Sequence, residues 1–275
     1  MPRRSRPLAA RLACAAALLP ALALGVASTS PSPDPERSGS LRAALQPEPL
    51  RSRAGMVVTS SEAASRAGAE ILEAGGNAVD AAVAAAFALG ASDPSESGLG
   101  GESWILLQLA GRPPVAIVSP SAVPLRVDRD ALRRAKAAGV LTGHATAAVP
   151  TSVASLARAL SRFGTMSFAD VLAPAIAEAE RGWEIGWTEA SVVKANAGRL
   201  SLSPLLAGVL LPGPCGPNGY PSPAVVGSTL RLPALAGTLR RLAEAGPDDF
   251  YLGVLAAEID ADMRAHGGFV RKEDL

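Results

Sequence analysis

Residues 77–90, NAVDAAVAAAFALG, are apolar almost all the way round a helical wheel. A helix with one apolar stripe can lie on a surface; one without a polar face has to be enclosed on every side or sit in a membrane. At 1.5 Å per residue this stretch reaches about 21 Å, short of the ~30 Å hydrocarbon core. It is therefore a core helix. Alanine dominates it, which lets neighbouring elements come close. Asn77 caps its start, Asp80 places a carboxylate at the positive end of the helix dipole, and Asp93-Pro94 stops it.

The elements around it follow from pattern. Met56–Val58 reads as a short buried strand. Thr59, with Glu62 three residues on, predicts a capped helix whose Ala64, Ala67, Ile71 and Leu72 share a face and which Gly75-Gly76 ends. ESWILLQLAGRPPVAIVSP (102–120) predicts two strands joined at GRPP. Trp104 and Leu106 lie on one face of the first and Ile105, Leu107 and Leu109 on the other, the pattern of a central strand. Helices are predicted over 127–139, 151–164, 167–182 (with Pro174 inside), 232–246 and 250–268. Residues 201–228, rich in Pro and Gly, read as loop. Strand, helix pair, strands and many helices make a mixed α/β layer fold around a buried helix pair.

The N-terminus reads as an export signal. Arg3, Arg4, Arg6 and Arg11 precede the apolar run 14–26, and small residues at 25–28 offer a cleavage site after Ala27. Residues 28–53 are a Pro/Ser-rich linker. Removing 1–27 takes four arginines and no acid, so the net charge of +1 turns negative, and no basic stripe suggests nucleic acid. The mature part keeps one cysteine, Cys215, which excludes an internal disulfide framework.

Chemistry-bearing motifs are sparse. SGLGGES (97–103) lacks the Lys of a phosphate loop and follows a helix rather than a strand. Two readings stand: a tight turn needing positive φ, or a backbone surface for a ligand. His144 and His266, the two histidines, have no Cys, His or acid at metal spacing, so no metal or cofactor is expected. Cys215 sits in a loop with no base beside it. Trp183 and Trp187 read as packing beside a helix end.

The run GMVVTSSEAASRAGAEILEAGGNAVDAAVAAAFALGASDPSESGLGG (55–101) resembles the start of the mature γ-glutamyltransferase (γ-glutamyltranspeptidase, glutathione hydrolase) family. The blocks at 148–183 and 230–275 continue the resemblance in order. It implies an α+β fold, a four-layer αββα N-terminal-nucleophile hydrolase sandwich, with residues 55–275 as part of the large subunit. It also implies a partner, a small-subunit half whose N-terminal Thr attacks γ-glutamyl amides such as glutathione to give an acyl ester. No Thr of this chain stands in the family's cleavage context, so the chain by itself is expected to be inactive. The family's large subunit contributes an Arg that grips the substrate α-carboxylate just after the second strand, and the segment AIVSPSAVP (116–124) puts Pro120 there. Ser119 and Ser121 are the candidate substrate-binding residues, able to hydrogen-bond but uncharged. Arg112 and Arg126 lie nearby on other turns. The resemblance leaves three functions open: an exported γ-glutamyl transferase or hydrolase, an amide acylase of the same superfamily, or a non-catalytic binding protein. It also turns the Gly cluster into a packing turn close to the chemistry.

Overall fold

The computed structural model describes residues 51–137, 142–215 and 221–275. The export signal and all but the last three residues of the linker lie outside the described residues. Residues 52–275 form one compact unit.

Helix α1 (Glu62–Glu73) leads through a turn at Gly75, φ +93°, into α2 (Ala78–Ser92), the apolar stretch. Only glycine adopts that left-handed geometry without strain. Asn77 caps α2: its side chain accepts the Val79 and Asp80 amides, and the Asp80 carboxylate accepts the Asn77 amide in return. Eleven of the fifteen α2 residues are buried, because α2 is packed between α1, α4 (Ser152–Phe163) and α5 (Phe168–Arg181), while α5 in turn carries α8 (Pro233–Ala245). Gly68 sits where α1 crosses α2; a Cβ there would meet Val57 and the Ala81 carbonyl at 2.8 and 2.9 Å. Phe87 meets Phe168 edge-on at 5.7 Å. Pro174 stays within the single helix α5. Among the described residues no helix is long and apolar enough to cross a membrane.

Strands β1 (Ser103–Leu107) and β2 (Val115–Ser119) form an antiparallel pair in the register Ser103–Ser119 to Leu107–Val115. Helix α3 (Arg129–Ala137) follows on the surface. A second, smaller core gathers Trp183, Ile185, Val193, Ala197, Leu211, Ala224 and Leu230 around strands β3 (Trp183–Glu184) and β4 (Thr229–Leu230) and helices α6 (Trp187–Leu200) and α7 (Pro204–Leu210). Helix α9 (Val254–Ala265) is followed by a 3₁₀ turn, Lys272–Asp274.

Several expectations need correction. Met56–Val58 is extended but pairs in no sheet among the described residues, and Met56 and Val58 are exposed; only Val57 packs on the core. The α1 N-cap is Ser61 rather than Thr59. The Thr59 hydroxyl instead bonds the Ser61 carbonyl, because the Ser65 side chain takes the Thr59 amide and turns the segment. Among the described residues β1 has one strand partner, and the face bearing Trp104, Leu106 and Val118 is open, 67%, 77% and 55% exposed. Its opposite face, Ile105, Leu107 and Ile117, packs on the core. Residues 204–210 are helix, not loop: Ser203 caps them and Pro204 starts the first turn, where its missing N–H costs nothing. α6 was hidden by weak patterning, since only Val193 and Ala197 of its fourteen residues are buried. α9 begins at Val254, because residues 247–250 form a separate 3₁₀ turn. Of the two tryptophans, Trp183 is buried as expected and Trp187 is exposed.

Candidate active-site segment

The segment predicted to face substrate is held by the N-terminus of α4. Thr151 and Ser152 donate their amides to the Gly101 carbonyl at 2.9 and 3.1 Å. The Ser152 hydroxyl donates to the Leu99 and Gly98 carbonyls. The Thr151 hydroxyl donates to the Ser119 carbonyl at 2.6 Å, and the Ser103 and Ser155 hydroxyls bond each other. One helix end thus fixes both the glycine loop and the end of β2. A helix starting at residue 151 was visible in the sequence; the grip of Thr151 and Ser152 on distant carbonyls was not.

The positive-φ reading of the glycine loop needs correction. Gly98, Gly100 and Gly101 are absent from the positive-φ positions. A Cβ on Gly98 or Gly100 would meet nothing within 4 Å; the close approach is on the helix side, where a Cβ on Gly90 of α2 would stand 3.3 Å from the Gly98 Cα. The loop lies backbone-to-backbone on the core helix, and its outer side lines an open cleft of about 600 Å³ with Pro94, Glu96, Glu102 and Ser152.

Beyond Ser119 the chain passes Pro120 and is caught at Ser121, whose amide donates to Glu102 Oε2 at 2.7 Å. The Ser121 amide, with smaller help from the Ser121 hydroxyl and Trp104, holds the Glu102 carboxyl below the usual carboxylate range. Ala122 then bridges to Val149, whose amide donates to the Ala122 carbonyl at 2.9 Å. Ser119 and Ser121 are therefore both on this strand end, flanking Pro120, and the charged group beside them is an anion. Arg126 does not replace the missing cation, since it faces Glu273 at 3.9 Å. Arg112 is in the hairpin turn at the other end of the strands. Glu102 was missed as a site residue in the sequence, where it merely opened the predicted strand run 102–120; only the antiparallel register brings it beside residue 121.

The histidines also need correction. Although 122 positions apart in the chain, they stack ring on ring at 4.7 Å with Asp262 between their nitrogens. Asp262 and His266 were a usable spacing, four apart on one helix face. Cys215 is exposed and unbridged.

A model of the γ-glutamyltranspeptidase family matches residues 64–275. The acylase ACY 1 proenzyme of Pseudomonas sp. (strain SE83) is 36% identical over 238 residues, 83% of this chain and 41% of that protein. The glutathione hydrolase proenzyme of Escherichia coli (strain K12) is 32% identical over 82% of this chain and 39% of its own length. In structure the chain is similar to the γ-glutamyltranspeptidase of Helicobacter pylori, with TM-score 0.72 and 28% identity over 82% of this chain and 64% of that one. It is also similar to the cephalosporin acylase of Bacillus halodurans, with TM-score 0.67 and 31% identity over 83% and 44%. The α+β N-terminal-nucleophile hydrolase fold implied by the sequence is shared with these structures. The chain spans about 40% of the length of the curated relatives it matches.

Proposed function

Because the chain belongs to the γ-glutamyltranspeptidase family, we propose that it is the large-subunit part of an amide-cleaving N-terminal-nucleophile hydrolase whose donor carries no α-carboxylate at the family's usual place. The observation that carries this is the Glu102 carboxylate fixed on the Ser121 amide beside Pro120. A guanidinium fork binds a carboxylate through two charge-assisted bonds. Here the strand end offers the Ser119 and Ser121 hydroxyls next to a negative charge. Two carboxylates brought together repel, whereas a neutral or amine-bearing acyl group is accepted. Similarity to two acylases supports the reading.

In this proposal the nucleophilic Thr and its base come from a small-subunit half. The relatives are proenzymes of more than twice the matched length. The bare apolar face of Trp104, Leu106 and Val118 is a surface of the kind that another chain segment covers. The residues described here position acyl substrate; they do not make the bond-breaking attack. The arginine-led apolar start supports export to the periplasm or outside the cell, with a mature N-terminus at Ser28, which N-terminal sequencing of the secreted protein checks.

The test is the complete protein, with its small-subunit half, given γ-glutamyl-4-nitroanilide and the headless 4-aminobutyryl-4-nitroanilide, which lacks the α-carboxylate. The expected outcome is a higher kcat/KM for the headless amide, with Pro120→Arg moving the ratio toward γ-glutamyl. A γ-glutamyl preference in the parent overturns the donor proposal. A second reading, cleavage of γ-glutamyl amides as such, is favoured by the similarity to glutathione hydrolases and predicts that result. Absence of turnover of either amide by the complete protein supports the non-catalytic reading.

A further inference from the structure

The chain has two histidines in 275 residues, and the fold brings both to one carboxylate. Asp262 in the last turn of α9 and His266, the residue that caps its C-terminus, are four apart, with His266 Nδ1 at 3.0 Å from Asp262 Oδ1. His144 comes from the 3₁₀ turn His144–Thr146 and places Nε2 2.9 Å from Asp262 Oδ2. The rings lie nearly parallel, 19° apart. One donor atom from each of the three side chains falls within 4.8 Å of the others.

We propose that His144, Asp262 and His266 form a binding site for a divalent transition-metal ion of the zinc, cobalt or nickel class. An ion held at 2.0–2.2 Å by tetrahedral N and O ligands sets those ligands about 3.3 Å from one another. His144 Nε2 and His266 Nδ1 stand 2.9 and 3.0 Å from the two different oxygens of Asp262, and the three donors lie within 4.8 Å of one another, so closing on an ion takes rotation of the two rings out of their stack about their side-chain bonds. Two imidazoles and one carboxylate select zinc-like ions over magnesium or calcium, which prefer all-oxygen shells. His144 is one-third exposed and the other two side chains about half, so an ion can enter from solvent and water can complete its shell. His266 Nδ1 also lies 2.9 Å from the Asp262 carbonyl; binding exchanges that contact for the ion. The approach of the strap is itself built. A Cβ on Gly268 would stand 3.0 Å from the His144 carbonyl and 3.1 Å from its Cβ, so glycine there admits His144.

The ion would staple the end of α9 to the strap 142–149. That strap pairs through Val149 with Ala122 and runs directly into Thr151, which grips the end of β2. The site therefore ties a remote helix to the segment that carries Ser119 and Ser121, without touching it.

The experiment uses the complete untagged protein, with its small-subunit half, stripped with chelator and titrated with Co²⁺ and Zn²⁺. One ion per chain is expected, with visible d–d absorption for Co²⁺ and broadening confined to the two imidazole resonances in NMR. His144→Ala and His266→Ala should each weaken Zn²⁺ binding at least about tenfold, while Cys215→Ser leaves it unchanged. Circular dichroism in chelator should show the same fold for parent and variants, and His144→Gln is the reserve should the alanine variant unfold. No saturable binding, or binding that survives loss of both histidines, overturns the proposal.

Discussion

Replacing Asp80 tests whether a single buried carboxylate fastens two halves of the main core. Asp80 is fully buried and accepts the Asn77 amide at 2.7 Å, the Thr165 amide at 2.9 Å, the Thr165 hydroxyl at 2.6 Å and the Met166 amide at 3.2 Å. Burial by itself raises its pKa, but the bonds from Thr165, Asn77 and Met166 together outweigh that and hold it below the ordinary value. Asp80→Ala removes the acceptor and strands three backbone N–H groups. Each such group costs about 1–3 kcal/mol when buried without a partner. Water entering the gap recovers part of this, so the expected loss is about 3–5 kcal/mol, a large share of the ~5–15 kcal/mol of a whole domain. Asp80→Asn keeps one acceptor oxygen but turns an N–H₂ toward other donors, for about 2–3 kcal/mol. Urea denaturation followed by tryptophan fluorescence measures both, Trp183 being buried. A loss below about 1 kcal/mol for Asp80→Ala would show that the 164–166 turn is held by something else and refute the reasoning.

Other outcomes follow from the same contacts. Gly68→Ala, which drives a Cβ into Val57 and the Ala81 carbonyl, should cost about 1–3 kcal/mol in the same denaturation assay, by prising α1 from α2. Leu172→Ala, at a fully buried position of α5, should cost about 2–5 kcal/mol. Asp249 is held at about 2 by the Arg241 guanidinium, at 2.7 and 2.8 Å, and by the Val254 and Leu255 amides. Since its folded pKa is depressed, its contribution is complete above the unfolded value of about 3.9 and drains as pH falls toward 2. Thermal melts of Arg241→Gln across pH 2–7 should lose part of the acid sensitivity that the parent shows below about pH 4.

The parts legible from sequence were those in which a residue's own neighbours decide its state. The all-apolar run of α2 could only be a core helix, Asn77 with Asp80 could only cap it, and Gly75 could end α1 where other residues would be strained. The ordered family blocks carried the fold. They also showed Pro120 where the resemblance implies an Arg, because a departure from a family pattern is visible without coordinates. What stayed hidden was set by partners far along the chain. Strand register brought Glu102 to Ser121, a helix end joined Thr151 to Ser119, Asp80 turned out to hold a loop 85 residues away, and His144 met His266 across 122 positions. The helical pattern of α6 buries too few residues to be seen. Local propensity and periodicity are written in adjacent residues; hydrogen-bond acceptors, charge neighbours and converging ligands depend on how whole elements dock, and only the tertiary structure decides that.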